Sequence, residues 1–204
     1  MKVFIISLPD SRQRRLSAIA NIRRSGLPFE IVDGVEARRM RPDALPVREG
    51  KWGQSLRPEE VGCYYAHLRA LQRIVDYDLP WGCVLEDDFC YEEDPDVGLA
   101  EIANVLPGEF DYIGIFRTLG INPKHERLAS KGPYWRVCEP ELLATGYLAH
   151  RRFAEHILKH HPVCEMPIDH LYAQLSHDGV FYELKRPIVA IAPNLGSDIH
   201  DAEE

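Results

Sequence analysis

The sequence has no C-x-x-C pair, and its five cysteines, Cys63, Cys83, Cys90, Cys138 and Cys164, are odd in number. That argues against a disulfide framework and against a structural zinc site. Most of these cysteines are expected to be small buried hydrophobes in a reducing compartment. No apolar run approaches the roughly 20 residues of a membrane-spanning helix. The start, Met1-Lys2-Val3-Phe4-Ile5-Ile6, turns polar too soon for a secretory h-region, so a cytoplasmic protein is expected. Positive charge is also short. The net charge is −8, which disfavours a general nucleic-acid binder. Internal repeats and low-complexity segments are absent.

What is present suits a single globular domain over residues 1–204. Its centre is Trp81-Gly82-Cys83-Val84-Leu85-Glu86-Asp87-Asp88-Phe89, a short apolar run that ends in three carboxylates. The run reads as a buried strand, which puts the acids outside its carboxyl end, where open α/β sheets bind ligands. Alternation on extended backbone would place Glu86 and Asp88 on one side and Asp87 on the other. Unpaired buried carboxylates are costly, so the acids are expected outside the core and close to a cation. A solvated acidic turn is the plainer reading.

The rest of the chain predicts an α/β fold, a mainly parallel central sheet flanked by helices. Val3-Phe4-Ile5-Ile6 and Phe29-Glu30-Ile31-Val32 are strands. Between them lies a helix capped by Asp10 or Ser11, with Leu16, Ile19 and Ala20 on its apolar face. This β-α-β unit predicts a parallel pair. Residues 35–57 read as a long loop with one helical turn at most. Pro58-Glu59-Glu60 opens a helix carrying Val61, Tyr65, Leu68, Leu71 and Val75. After the acids come an acidic turn, a short helix over 99–106 and a strand over 111–116. A polar loop (117–133) and an edge strand from Tyr134 to Val137 follow. Ala144 to Ala149 is strand-like, with a helix after it that carries Phe153, His156, Ile157 and His160. Asp169 stands at the start of a further helix bearing Leu171, Tyr172 and Leu175, and strands at 181–184 and 188–191 close the domain.

Chemically, a divalent ion held by few protein carboxylates, with phosphates completing its shell, is the usual Mg²⁺ or Mn²⁺ nucleotide site. Gly34, Gly146 and Gly196 would let a ligand approach the backbone. Asp88 is expected to ligate the ion, with Glu86 or Asp87 on ribose or on metal-bound water.

Five segments in order carry a resemblance to glycosyltransferase family 25, the lipopolysaccharide galactosyltransferases and their collagen-modifying relatives. They are Ile5-Ile6-Ser7-Leu8 through Arg12 and Arg15; Ile31-Val32-Asp33-Gly34; Val61-Gly62-Cys63-Tyr64-Tyr65-Ala66-His67; Val84-Leu85-Glu86-Asp87-Asp88; and Ala144-Thr145-Gly146-Tyr147 with Pro167-Ile168-Asp169. The chain departs from the family pattern at Ser7, usually Asn, and at Ala66, usually Ser. The resemblance implies a GT-A-like nucleotide-binding fold. It implies inverting transfer of a hexose, galactose or glucose, from a UDP-sugar to a glycan or glycolipid acceptor, with Mn²⁺ or Mg²⁺. Bacterial relatives work on lipopolysaccharide intermediates at the inner face of the membrane, so peripheral membrane contact through the basic residues of 35–57 is a further expectation.

By the same resemblance, Ser7, Leu8, Arg12, Arg15, Asp33, Gly34, His67, Glu86, Asp87, Gly146 and Ser197 would bind substrate. Asp169 would be the catalytic base, with a pKa lowered by helix-start amides. The closing Ser197-Asp198-Ile199-His200 would fold over the diphosphate, with Asp198 or His200 near the metal. Several residues keep a second reading. His67 is a core histidine or a substrate contact. Asp33 is a turn former, Asp169 a helix cap, Arg12 and Arg15 surface charges, and the tail a frayed terminus. Two other functions stay open. One is a non-catalytic nucleotide-sugar-binding or scaffold domain. The other is a sugar nucleotidyltransferase, although Ser7-Leu8-Pro9-Asp10 lacks that class's glycine-rich opening loop.

Overall fold

A computed structural model describes residues 1–41, 43–48, 55–95, 97–117, 119–120, 122 and 124–193. Its centre is β1 (Val3–Ser7), buried at all five positions. Phe4 and Ile6 enter the apolar cluster on one face of the sheet, Val3 and Ile5 the cluster on the other. A strand covered on both faces needs an unbroken apolar run rather than an alternating one, which is why Val3-Phe4-Ile5-Ile6 forms it.

Around β1 lie β2 (Phe29–Asp33) and β3 (Trp81–Glu86), both parallel to it. The eight-stranded sheet runs β2-β1-β3-β8-β5-β9-β7-β6, with β5 at Tyr112–Gly114, β6 at Glu126–Ala129, β7 at Tyr134–Cys138, β8 at Gly146–His150 and β9 at Phe181–Leu184. Only β7 and β8 run against the other six strands. The sheet is thus mainly parallel in direction, as expected, with β8 wedged antiparallel between β3 and β5. A short separate ribbon pairs β4 (Phe89–Tyr91) with β10 (Val189–Ile191).

One face of the sheet carries α2 (Pro58–Asp76), α3 (Arg151–His160) and α4 (Ile168–Leu175). The opposite face carries α1 (Arg12–Arg23). Helix α2 begins where Pro58 takes the first turn and the Glu60 carboxylate accepts from the Arg57 N–H at 2.8 Å. Gly62 lets α2 lie on the chain after β2, since a Cβ there would come 2.3 Å from the Val35 carbonyl oxygen.

Several local expectations are corrected. Helix α1 buries Ala18 and Ile22, and Leu16 is 68% exposed. Turning the 14/18/22 stripe inward also aims Arg14 at the acids. The 99–106 helix is a single 3₁₀ turn at Ile102–Asn104. The 117–133 loop contains β6, and it is β6, exposed throughout, that forms the sheet edge. The described residues of 35–57 agree with the expected loop, with one 3₁₀ turn at Ala37–Arg39 and an isolated bridge from Val47 to Cys164.

Candidate active site

The carboxyl ends of β1, β2 and β3 meet at one level, because Ser7 pairs with Asp33 and Ile6 with Glu86 in the parallel register. Gly34 N–H donates to the Ser7 carbonyl at 2.8 Å. A Cβ on Gly34 would meet Leu8 Cδ2 at 3.1 Å, so glycine keeps the two strand-end turns in contact. Between these turns and α2 opens a cavity of about 120 Å³, bordered by Ser7, Leu8, Gly34, Glu86, Asp87 and Asp88.

The expected alternation of the acids stops at Glu86, since β3 ends there and Asp87-Asp88 form a turn. Both aspartates are buried and share one cation: Arg14 Nη2 lies 2.7 Å from Asp87 Oδ1 and 3.3 Å from Asp88 Oδ2. Ser7 Oγ–H donates to Asp87 Oδ2 at 2.6 Å. The acids therefore do enter the protein interior, with Arg14 and Ser7 offsetting the cost. Asp88 Oδ1 is buried and has no hydrogen-bond partner among the described residues. Burial, then the charge of Glu86, pushes the Asp88 carboxyl up to about 7 against the pull of Arg14. A buried carboxylate oxygen left open, in a carboxyl destabilised by like charges, fits a divalent ion with oxygen ligands.

Glu86 points the other way. Its Oε1 lies 3.3 Å from His67 Nε2 and accepts from Cys63 Sγ at 3.7 Å. Burial raises its carboxyl, but the hydrogen bond and charge of His67 and the charge of Arg14 outweigh that and hold it below the usual range. His67 is fully buried; its Nδ1 is 2.9 Å from the Tyr147 hydroxyl, itself 2.9 Å from that of Tyr172. His67 thus sits in the core and holds Glu86, which is the first of the two readings its sequence position allowed.

Other expected site residues divide clearly. Arg15 ties the strand ends together, donating to the Ser7 carbonyl at 2.9 Å and to Asp33 Oδ1 at 2.8 Å. Asp33 is thus held in an exposed ion pair beside the cavity. Arg12 is exposed and lies away from the cavity, since two residues turn a helix by about 200° from Arg14. Gly146 belongs to the core: it pairs with Leu85, and a Cβ there would come 2.9 Å from Val189 Cγ2.

Asp169 is the second residue of α4, two places after Pro167, which occupies the cap position. Its Oδ1 accepts from the His170 N–H at 2.8 Å. The expected lowering of its pKa is reversed, because burial, with the charge of Glu86 adding to it, outweighs His170 and the helix-start amides. The charges of Asp169 and Glu86 both act on the Cys63 thiol, whose pKa burial chiefly raises. Gly196, Ser197, Asp198 and His200 lie outside the described residues. Arg14, Gly62 and Cys63 were missed as site residues. Gly62 and Cys63 do lie in the Val61–His67 segment that carries the resemblance, and Arg14 has the i, i+4 spacing to Ala18 that shares a helix face.

Residues 1–172 match the profile of glycosyltransferase family 25 (LPS biosynthesis protein). The chain belongs to that family. Among curated relatives, the human inactive glycosyltransferase 25 family member 3 is 28% identical over 181 residues, covering 82% of this chain and 30% of that protein. The lacto-N-neotetraose biosynthesis glycosyltransferase LgtE of Neisseria meningitidis is 31% identical over 106 residues, covering 50% of this chain and 37% of that protein. This family 25 chain thus spans about a third of the length of these relatives.

Two solved structures share its fold. A UDP-glucose pyrophosphorylase complexed with UDP-glucose superposes with TM-score 0.55 at 11% identity, covering 92% of this chain and 90% of that one. The inositol-1-phosphate CTP transferase from T. maritima gives 0.51 at 7% identity, covering 97% and 92%. These neighbours support the GT-A-like architecture.

No helix among the described residues is long and apolar enough to cross a membrane. The arginines expected to meet anionic glycolipid have acidic partners: Arg38 with Glu36 and Glu59, Arg39 with Asp10, Arg41 with Asp43, Arg48 with Glu165.

Proposed function

We propose that this chain transfers a hexose, galactose or glucose, from a UDP-sugar to a hydroxyl of a glycan acceptor with inversion, in the synthesis of lipopolysaccharide or another surface glycan. The observation that carries this is the open, buried Oδ1 of Asp88 at the meeting point of three parallel strand ends. Family membership and the biosynthetic role in the name of LgtE support glycosyl transfer. The UDP-glucose in the fold neighbour supports a uridine nucleotide as donor.

Asp88 would hold Mn²⁺ or Mg²⁺, with Glu86 or Asp87 on ribose or on metal-bound water. The ion, when bound, supplies positive charge against the leaving diphosphate. Ser7 and Arg14 keep Asp87 oriented, and Arg15 with Gly34 keeps the walls of the cavity together. The acceptor oxygen bonds to the anomeric carbon as the bond from that carbon to the UDP oxygen breaks, and the hydroxyl proton passes to Asp169. A carboxylate with a raised pKa is a stronger base than an ordinary aspartate, which suits that role. The described chain reaches the site again where Ala192 N–H donates to the Asp88 carbonyl at 2.7 Å. This supports a place for Ser197, Asp198 and His200 close to the diphosphate.

The test is turnover with Mn²⁺. UDP-galactose or UDP-glucose should be hydrolysed slowly and transferred faster in the presence of a glycan acceptor array. Turnover only of a nucleoside triphosphate with a sugar phosphate would assign a nucleotidyltransferase instead. UDP binding without any turnover would assign a binding domain, the reading suggested by the name of the human relative.

A further inference from the structure

One cluster of ligating side chains has no part in the reaction above as a unit. Cys63 and His67 stand one turn apart on α2, facing the end of β3. Cys63 Sγ and His67 Nε2 lie 3.7 Å and 3.3 Å from Glu86 Oε1, and one ligating atom from each of the three falls within 4.8 Å of the others. We propose that Cys63, His67 and Glu86 form a second metal site, for a borderline-soft divalent ion such as Zn²⁺, with its fourth position open to the cavity.

The donor set separates this site from the one at Asp88. Thiolate and imidazole favour zinc and cobalt over magnesium and manganese, which prefer oxygen alone. The spacing also fits. Tetrahedral zinc with bonds of about 2.0 to 2.3 Å has N···O edges of about 3.3 Å and S···O edges of about 3.6 Å. Those lengths are close to the two separations from Glu86 Oε1, and the third edge, between the Cys63 and His67 ligand atoms, lies within 4.8 Å. The support behind the histidine is in place as well. A ligating histidine normally donates its other ring N–H to an oxygen, and His67 Nδ1 already lies 2.9 Å from the Tyr147 hydroxyl. That hydroxyl can turn its own proton to Tyr172, 2.9 Å away, so Nδ1 can carry the proton once Nε2 binds metal. Cys63 borders the cavity while His67 is fully buried, so the ion would meet protein on one side and the cavity on the other. Binding releases the thiol proton to solvent. The inference holds whether or not the chain transfers sugar.

The experiment is a Co²⁺ titration of the EDTA-treated full chain, read by absorption. One equivalent should give a thiolate-to-Co²⁺ charge-transfer band and tetrahedral ligand-field bands, both lost on adding Zn²⁺. Cys63→Ser should abolish the charge-transfer band, while Cys138→Ser and Asp88→Asn keep it. Circular dichroism in EDTA verifies that Cys63→Ser is folded. Glu86→Gln gives a second test and should weaken Co²⁺ binding by at least about tenfold, as loss of a direct ligand requires. Three results would each overturn the site: no charge-transfer band at excess Co²⁺, a band that survives Cys63→Ser, or a band lost with Asp88→Asn. The first would leave a hydrogen-bonded cluster only.

Discussion

His67 Nε2 lies 3.3 Å from Glu86 Oε1, so the first acid of the triplet is held by a side chain that solvent does not reach. Through Tyr147 and Tyr172 the same contact ties β3 to α4, the helix whose first turn carries Asp169. His67→Ala would leave the Tyr147 hydroxyl and Glu86 short of a partner and open a cavity. A stability loss of about 2–4 kcal/mol is expected, measured by urea unfolding. His67→Gln can keep one of the two contacts and should lose less. Equal stability of His67→Ala and wild type would remove this histidine from its supporting role.

Arg14 occupies the place a cation would take beside Asp87 and Asp88. Arg14→Ala should therefore lower the melting temperature of the metal-free chain and enlarge the rise produced by Mn²⁺. Arg12→Ala, on the exposed side of α1, should change neither. A similar Mn²⁺ response in Arg14→Ala and wild type would mean that the arginine and the ion do not share the acids.

Asp88 carries a pH signature. Its folded carboxyl sits near 7, above the ordinary value of about 4, because burial and the charge of Glu86 disfavour ionisation. A group raised on folding contributes stability at low pH that is lost as pH rises through the folded value. In EDTA, Asp88→Asn should thus be more stable than wild type at about pH 8, and the gap should close towards about pH 4. The same variant should lose metal-dependent turnover. A constant gap across that range, by thermal melts, would show that Asp88 is not the destabilised group.

Asp169→Asn should keep UDP-sugar affinity and lose transfer by about two to four orders of magnitude, the usual contribution of a general base. Isothermal titration and a transfer assay separate the two effects. Transfer within a factor of about three of wild type would leave Asp169 as a half-buried residue of the first turn of α4, and Glu165 or Asp198 would be the next candidate.

Removing the residues after Pro193 tests the closing segment. Weaker UDP binding in the presence of Mn²⁺ is expected, with the melting temperature of the ligand-free chain little changed. Unchanged affinity would take Ser197, Asp198 and His200 out of the site.

Sequence by itself determined the elements next to the site. Short apolar runs at 3–6 and 81–85 read as strands covered on both faces, and acids directly after such a run fall at its carboxyl end. Pro58 with Glu59 and Glu60 determined where α2 begins, because these contacts are local. Which face of α1 turns inward was decided by the tertiary structure. Leu16 is the larger apolar residue, yet the 14/18/22 stripe wins, because it alone buries Ala18 and Ile22 while bringing Arg14 to two buried aspartates. The antiparallel entry of β8 between β3 and β5 was likewise invisible locally. It made Gly146 a packing residue against Val189 and brought Tyr147 over His67. The ionisation of Asp88 and Asp169 was decided in the same way, since burial and through-space charge come from residues distant in the chain and no local pattern encodes them.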